Sequence, residues 1–305
     1  MKTAFSLETV NTRYQEPNRN RVESKYYWEE LFQLVGAGGF HAVELPYDPG
    51  FMGARCCFPF SKVVMDVKLG GVEGFKKVLA DAKIDKIAGI FASPRAAGSV
   101  EQYVEGFKRS VKGMIGLAGE LGCDYVTVSA SPEYCTMGAL LDKKAELLDA
   151  LAAALGELAD EAGDIKLCVR NEFWGILRGA GMHDFMAKVD KRVGYCVDLA
   201  HIKIAGEDPA EFIRKAGDRV GVVILTDTCF EDKDEVWKGP APAFPRTGAT
   251  QVFKDLGQGS VDLCAVFAAL KEVGFDGWAT VDNRQTRQVS RGILRARYAL
   301  NAVEG

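Results

Sequence analysis

"VGYCVDLAHIKIAGEDPAEFIRKAGDRVGVVILTD", residues 193–227, holds two short apolar runs with a helical stretch between them. Each run is rich in β-branched and aromatic residues, and each stops at an aspartate, Asp198 in one and Asp227 in the other. A strand, a helix and a second strand in that order make a β–α–β unit, which needs a parallel sheet to close on.

The same rhythm continues in both directions. Toward the N-terminus lie "IKLCVRNEF" (165–173), "CDYVTVSASP" (123–132), "KIAGIFASP" (86–94), "FHAVELPYD" (40–48) and "TAFSLETV" (3–10). Toward the C-terminus lies "GWATVDN" (277–283). Between the runs stand helical patterns such as "SVEQYVEGFKRSVKGMIGLAGELG" (99–122), whose apolar residues recur at i, i+3, i+4 and i+7 and which stops at Gly122. Eight β units, each trailed by a helix, predict an α/β fold of one domain over residues 1–305: a parallel (β/α)8 TIM barrel. An open doubly wound sheet usually stops at five or six strands and carries a Gly-rich first turn, and no G-x-G-x-x-G follows the first run.

One connection breaks the rhythm. Residues 228–262 form a Pro-, Gly- and charge-rich segment that also carries Trp237, Phe244 and Phe253. The aromatics argue against a disordered linker. On a barrel this long loop after strand 7 leaves the catalytic face, so it is expected to cover an active site.

Composition narrows the function classes. The 305 residues carry a net charge of −4 with basic residues scattered, which disfavours nucleic acid and anionic membrane as partners. No apolar stretch reaches the roughly 18–20 residues of a membrane span. The eight cysteines form no C-x-x-C pair, and Cys56, Cys57, Cys168 and Cys196 sit in apolar or aromatic settings. Free thiols and a start without a signal-peptide pattern predict a cytoplasmic protein.

In a barrel the polar residues at the C-terminal strand ends converge on one pocket. These are Glu8 and Asn11, then Glu44, Ser129 and Ser131, Arg170 and Glu172, Asp198 and His201, Asp227, and Asp282. Carboxylates facing one another need a cation or shared protons. A divalent ion, Mg²⁺ or Mn²⁺, suits carboxylates with at most one imidazole. Each residue also has an ordinary role open to it: Asp282 pairing with Arg284, Glu172 pairing with Arg170 or Arg178, Asp227 and Glu44 holding loops, Trp237 and Trp174 filling core.

"VDLAHIKIAGEDPAEFI", "LTDT" and "DLGQGSVDLCAVFAALKEVGFDGWATVD" together resemble the xylose-isomerase-like superfamily of sugar isomerases and epimerases, most specifically across residues 166–282. The resemblance implies one divalent ion held by a Glu, an Asp, a His and a second Glu from four strand ends. Asp198 matches the aspartate, and Asp282 stands where the last glutamate is expected. His201 matches a D-x-x-H histidine that more often touches substrate, and Asp227 matches the aspartate of H-x-x-D. Two positions depart: the histidine expected before Asp227 is Ile224, and the first glutamate's place is taken by Arg170, with Glu172 two residues on.

The expected chemistry is sugar or keto-sugar isomerisation or epimerisation by proton abstraction beside a carbonyl. Glu172 and Asp282 would exchange the proton, with His201 as the third catalytic group. Arg170, Glu44, Asp227 and Trp237 would bind substrate, and Glu172, Asp198 and Asp282 would hold any Mn²⁺ or Mg²⁺. Without the ion, Arg170 would neutralise part of the carboxylate cluster. A lyase on keto-sugars, of the inosose dehydratase or C-glycoside deglycosidase type, is the alternative, and a non-catalytic sugar-binding barrel the third reading. The expected partner is a small carbohydrate. The loop "PGFMGARCCFPF" either closes over it or meets a second subunit, as a homo-oligomer or with an accessory chain.

Overall fold

A computed structural model describes residues 1–10, 24–47, 60, 62–92, 98–132, 137–239 and 252–304. Asn11, Cys56, Cys57, Phe244 and all but the last residue of the "PGFMGARCCFPF" loop lie outside the described residues.

Eight parallel strands close into a barrel: β1 (Lys2–Ser6), β2 (Ala42–Pro46), β3 (Lys86–Ala92), β4 (Tyr125–Val128), β5 (Lys166–Arg170), β6 (Gly194–Asp198), β7 (Val220–Leu225) and β10 (Trp278–Val281). Their order around the barrel is β1-β10-β7-β6-β5-β4-β3-β2, so the (β/α)8 barrel read from the eight runs is the architecture found. The helices are α1 (Lys25–Ala37), α2 (Lys62–Lys68), α3 (Gly71–Asp81), α4 (Val100–Leu121), α5 (Lys144–Ala162), α6 (Ala180–Lys188), α7 (Leu199–Ile204), α8 (Pro209–Ala216), α9 (Leu263–Glu272) and α10 (Val289–Glu304). At the base of the long connection after β7, β8 (Asp227–Thr228) pairs antiparallel with β9 (Phe253–Lys254).

Helix α4 shows how sequence becomes packing. Ser99 caps it by accepting the Gln102 N–H at 3.1 Å, and Gly122 ends it in the left-handed region at φ 72°. Its buried face, Tyr103, Phe107, Val111, Met114 and Ala118, follows the helical period and joins the core between helices and sheet.

The strands divide by their period of two. Val43, Val126, Val169, Val197, Val223 and Val281 point outward into the helix-facing core. Ala4, Ala42, Ala88, Tyr125, Cys168, Cys196, Val222, Ile224 and Trp278 point inward and form a separate apolar layer inside the barrel. Tyr125 is the bulky member. Its ring lies over Gly89, where any Cβ would collide with it, so glycine is what lets β3 and β4 pair here.

Two residues further toward the C-terminal end the apolar layer gives way to Ser6, Glu44, Arg170, Asp198 and Thr280, and two beyond that lie Glu8 and Asp282. Among the described strands β3, with Gly89 and Phe91, and β7 stay apolar at this height. The inward β7 residue Ile224 pairs in register with Asp198 on one side and Thr280 on the other.

Candidate active site

Asp198 ends β6 and caps α7. The strand leaves its carboxylate facing inward, and the first turn of the helix brings the His201 N–H to Oδ1 at 3.5 Å. The Thr226 hydroxyl donates to the same oxygen at 2.5 Å. Oδ2 takes two guanidiniums: Arg170 through Nε at 3.1 Å and Nη2 at 2.8 Å, and Arg284 through Nη2 at 2.6 Å.

These two arginines organise the whole barrel mouth. Arg170 also reaches Glu8 at 3.0 Å and lies 3.6 Å from Asp282, while Arg284 Nη2 lies 2.7 Å from Asp282. Both guanidiniums are buried and stacked, Arg170 over Phe91 with 5.5 Å to the ring centroid and Arg284 over Phe253 with 4.6 Å. Three carboxyls, Glu8, Asp198 and Asp282, therefore face two fixed cations. Burial tends to raise all three. For Asp198 the charges of Arg284 and Arg170 win, and its carboxyl lies far below the usual range. Glu8 and Asp282 interact directly and shift in opposite directions. Burial and the neighbouring Glu8 charge push Asp282 up, and against burial the arginines keep Glu8 down.

His201 packs beneath Trp174, with ring centroids 4.5 Å apart, and beside Phe173 and Phe253. Burial holds its pKa well below the ordinary histidine value, and Arg284 and Arg170 add to that, so the ring is neutral. The Phe173 N–H donates to Nδ1 at 3.0 Å. Nε2 lies 2.9 Å from Arg284 Nη1 and 3.8 Å from Asp198 Oδ2.

Glu172 stands beside this cluster. Its carboxylate accepts Trp174 Nε1–H at 2.9 Å and a hydrogen bond from Ser129 at the end of β4. Burial raises its pKa, and Arg170, Ser129 and Trp174 only partly offset that. A raised carboxyl next to a fixed cation is the setting of a general base.

The structure revises several expected roles. Glu172, Asp198 and Asp282 do not assemble as ligands, and among the described residues no group of three or more His, Cys, Asp or Glu is placed to hold a metal ion. A divalent ion does not fit this donor set. Ile224 is fully buried in the apolar layer, both free faces of Asp198 and Asp282 look onto guanidiniums, and the His201 Nδ1 lone pair is spent on Phe173. At ~4 Å and an effective dielectric of about 20, a divalent ion against one guanidinium would meet a repulsion of roughly 8 kcal/mol.

Asp227 is a loop clamp. Oδ1 accepts the N–H groups of Thr228 at 2.8 Å and Val261 at 3.1 Å, and Oδ2 those of Gly257 at 3.0 Å and Gly259 at 2.8 Å, which leaves nothing for a substrate. Gly259 approaches so closely that a Cβ would overlap the carboxylate. Trp237 packs with Ala200, Ile204, Val252 and Phe253 behind His201, with Arg178 stacked 4.8 Å from its ring, so it braces the site from outside. Glu44 has no exposed surface and accepts the Tyr125 hydroxyl at 3.1 Å, and that hydroxyl also meets Thr280 Oγ1 at 2.9 Å. Burial pushes Glu44 up to about 7, with Arg170, Ser6 and Tyr125 opposing.

Arg284 is the functional residue that sequence reasoning treated only as a partner for Asp282. It lies in the irregular segment after β10, where strand alternation offers no signal.

A profile described as "Xylose isomerase-like TIM barrel" matches residues 32–298, and the chain belongs to that family. Among curated relatives, inosose dehydratase of Geobacillus thermodenitrificans is 29% identical over 149 residues, 48% of this chain and 49% of that protein. The chain thus spans about half the length of that relative. Among solved structures, the probable 3-DHS dehydratase AsbF of Bacillus anthracis superposes with a TM-score of 0.70 at 13% identity, covering 99% of each chain. D-psicose 3-epimerase of Clostridium cellulolyticum H10, solved with D-tagatose, gives 0.68 at 15% identity, covering 100% of this chain and 98% of its own. The IolI protein, solved with a bound zinc atom, gives 0.64 at 18% identity, covering 99% and 98%. At these identities the structures are similar in fold. No helix among the described residues is long and apolar enough to cross a membrane.

Proposed function

We propose that the chain is an enzyme that removes a proton beside the carbonyl of a small keto-sugar or cyclic keto-polyol and expels water from the neighbouring carbon. The observation that carries this reading is the raised, buried carboxyl of Glu172 next to the fixed guanidinium of Arg170. Glu172 takes the C–H proton, and the negative charge that develops on the carbonyl oxygen is met by Arg170 and Arg284, which need no reorganisation. The β-hydroxyl then leaves with a proton returned from Glu172. One C–H and one C–O bond break, one C=C forms, and water departs.

Elimination takes precedence over epimerisation for a reason specific to this site. Two-base epimerisation needs a second carboxyl free to approach the opposite face of the carbon. Asp282 is instead fully buried and held by Arg284, Arg170 and Glu8. The inosose dehydratase likeness supports the same choice of substrate class.

The test incubates the protein with keto-inositols and ketohexoses in D₂O and follows carbon-bound deuterium by NMR together with enone absorbance. Deuterium exchange with loss of water is expected. Exchange that yields only an epimer or isomer would replace elimination with the sequence-derived alternative. Sugar binding without exchange would make this a binding protein.

A further inference from the structure

We propose that Arg170 and Arg284 together are a built-in substitute for a divalent ion, so that the positive centre of this site is protein and not metal. The two guanidiniums occupy the bridging position. Arg284 Nη2 lies 2.6 Å from Asp198 and 2.7 Å from Asp282, and Arg170 Nη2 lies 2.8 Å from Asp198 and 3.6 Å from Asp282. A single ion bridging the carboxylates of β6 and of the residue after β10 would have to sit where these nitrogens are.

Three further observations bear on permanence. Each guanidinium is stacked on an aromatic ring and almost wholly buried, so neither swings aside without opening the hydrophobic wall. Arginine does not deprotonate in proteins, so the charge is present at every working pH. The remaining positions that could supply neutral donors are closed: β7 offers Ile224, and His201 has its Nδ1 engaged by the Phe173 N–H. The pair also supplies directional donors, which a spherical ion does not, and so favours a planar oxygen such as an enolate held in the plane of the fork.

This inference does not depend on which reaction the site performs, and its test uses no turnover. Native protein is dialysed with and without EDTA, its metal content is measured by elemental mass spectrometry, and its melting temperature is followed with and without added Mn²⁺ or Zn²⁺. The expected result is well under one equivalent of metal and a melting temperature that neither EDTA nor added ion moves. The variants Arg170→Glu/Arg284→Met and Arg170→Glu/Arg284→Met/Ile224→His, which clear both guanidiniums, are expected to acquire Mn²⁺ binding, seen as retained metal and a melting temperature that rises by about 5 °C on saturation. Native protein that keeps one equivalent of metal and melts earlier once it is stripped would overturn the proposal. A double variant that folds but takes up no ion would overturn it as well. If the variants do not fold, the native measurement decides alone.

Discussion

β6 and β7 lie side by side in the barrel, and each is followed closely by a buried aspartate, yet the two carboxylates are satisfied in opposite ways. Asp227 spends its lone pairs on four backbone N–H groups from its own connection. Asp198 takes one hydroxyl and one capping N–H on Oδ1 and gives Oδ2 to two guanidiniums. Backbone donors are fixed by the fold and belong to structure. Guanidiniums have further N–H groups to offer, so a carboxylate held by them leaves donors for a ligand. Burial alone does not separate the two cases; the identity of the donor does.

The most severe break in this contrast is Glu172→Gln. It removes the base while leaving the arginine cluster whole, and turnover should fall by about 10³-fold with a melting temperature close to native. A smaller loss, or a variant that does not fold, would move Glu172 to the structural side of the division.

Next in size is Arg284→Met, which strands Asp198 and Asp282 with one cation fewer. Chemical denaturation should show a loss of about 3–5 kcal/mol, and Asp282→Asn added on top should recover part of it. No recovery in the double variant would mean that the two residues act independently.

Glu44 sharpens the contrast from inside the barrel, where neither kind of donor dominates. Its folded pKa is raised to about 7, so the native state keeps a proton that the unfolded chain releases above about 4.5. Its contribution is therefore fully present below about pH 4.5 and is lost as pH rises toward 7, by about 3 kcal/mol over that window. Glu44→Gln should flatten this part of the stability–pH curve, and a curve of unchanged slope would refute the assignment.

Asp227→Ala, in the other region, should cost about 2–3 kcal/mol through orphaned N–H groups, while turnover of the folded fraction changes by less than about tenfold. The smallest effect is expected from Trp174→Phe. Losing the indole N–H removes a bond that favours ionised Glu172, so the acidic limb of the rate–pH profile should move upward. A downward movement would contradict the role given to Trp174.

The two regions also differ in how far the sequence disclosed them. Arg170, Asp198 and Asp282 are legible as polar residues ending apolar runs, which a barrel gathers at one mouth, and Asp198 and Asp282 lie 2.8 and 3.6 Å from Arg170 Nη2. Ile224 and Arg170 were visible as departures from a metal-binding pattern. Their meaning depended on Arg284, which enters from the irregular segment after β10, where periodicity carries no information about reach. The clamp on Asp227 was illegible for another reason. Its partners Gly257, Gly259 and Val261 lie across the long connection, and backbone N–H groups leave no residue-type signature. For Trp237 the sequence leaves a sugar-binding wall and a core role both open, and a separate apolar cluster holds it.

The pairing of β8 with β9 has a consequence for how such a barrel diversifies. Because Asp227↔Lys254 and Thr228↔Phe253 are zipped together, the chain between them leaves and returns at one stapled point. Doubling the length of a segment tethered in this way costs only roughly 0.6 kcal/mol in closure entropy. The length of the excursion can therefore vary at little entropic cost, provided the residues that pack back on the barrel, Trp237 and Val252 among them, are kept.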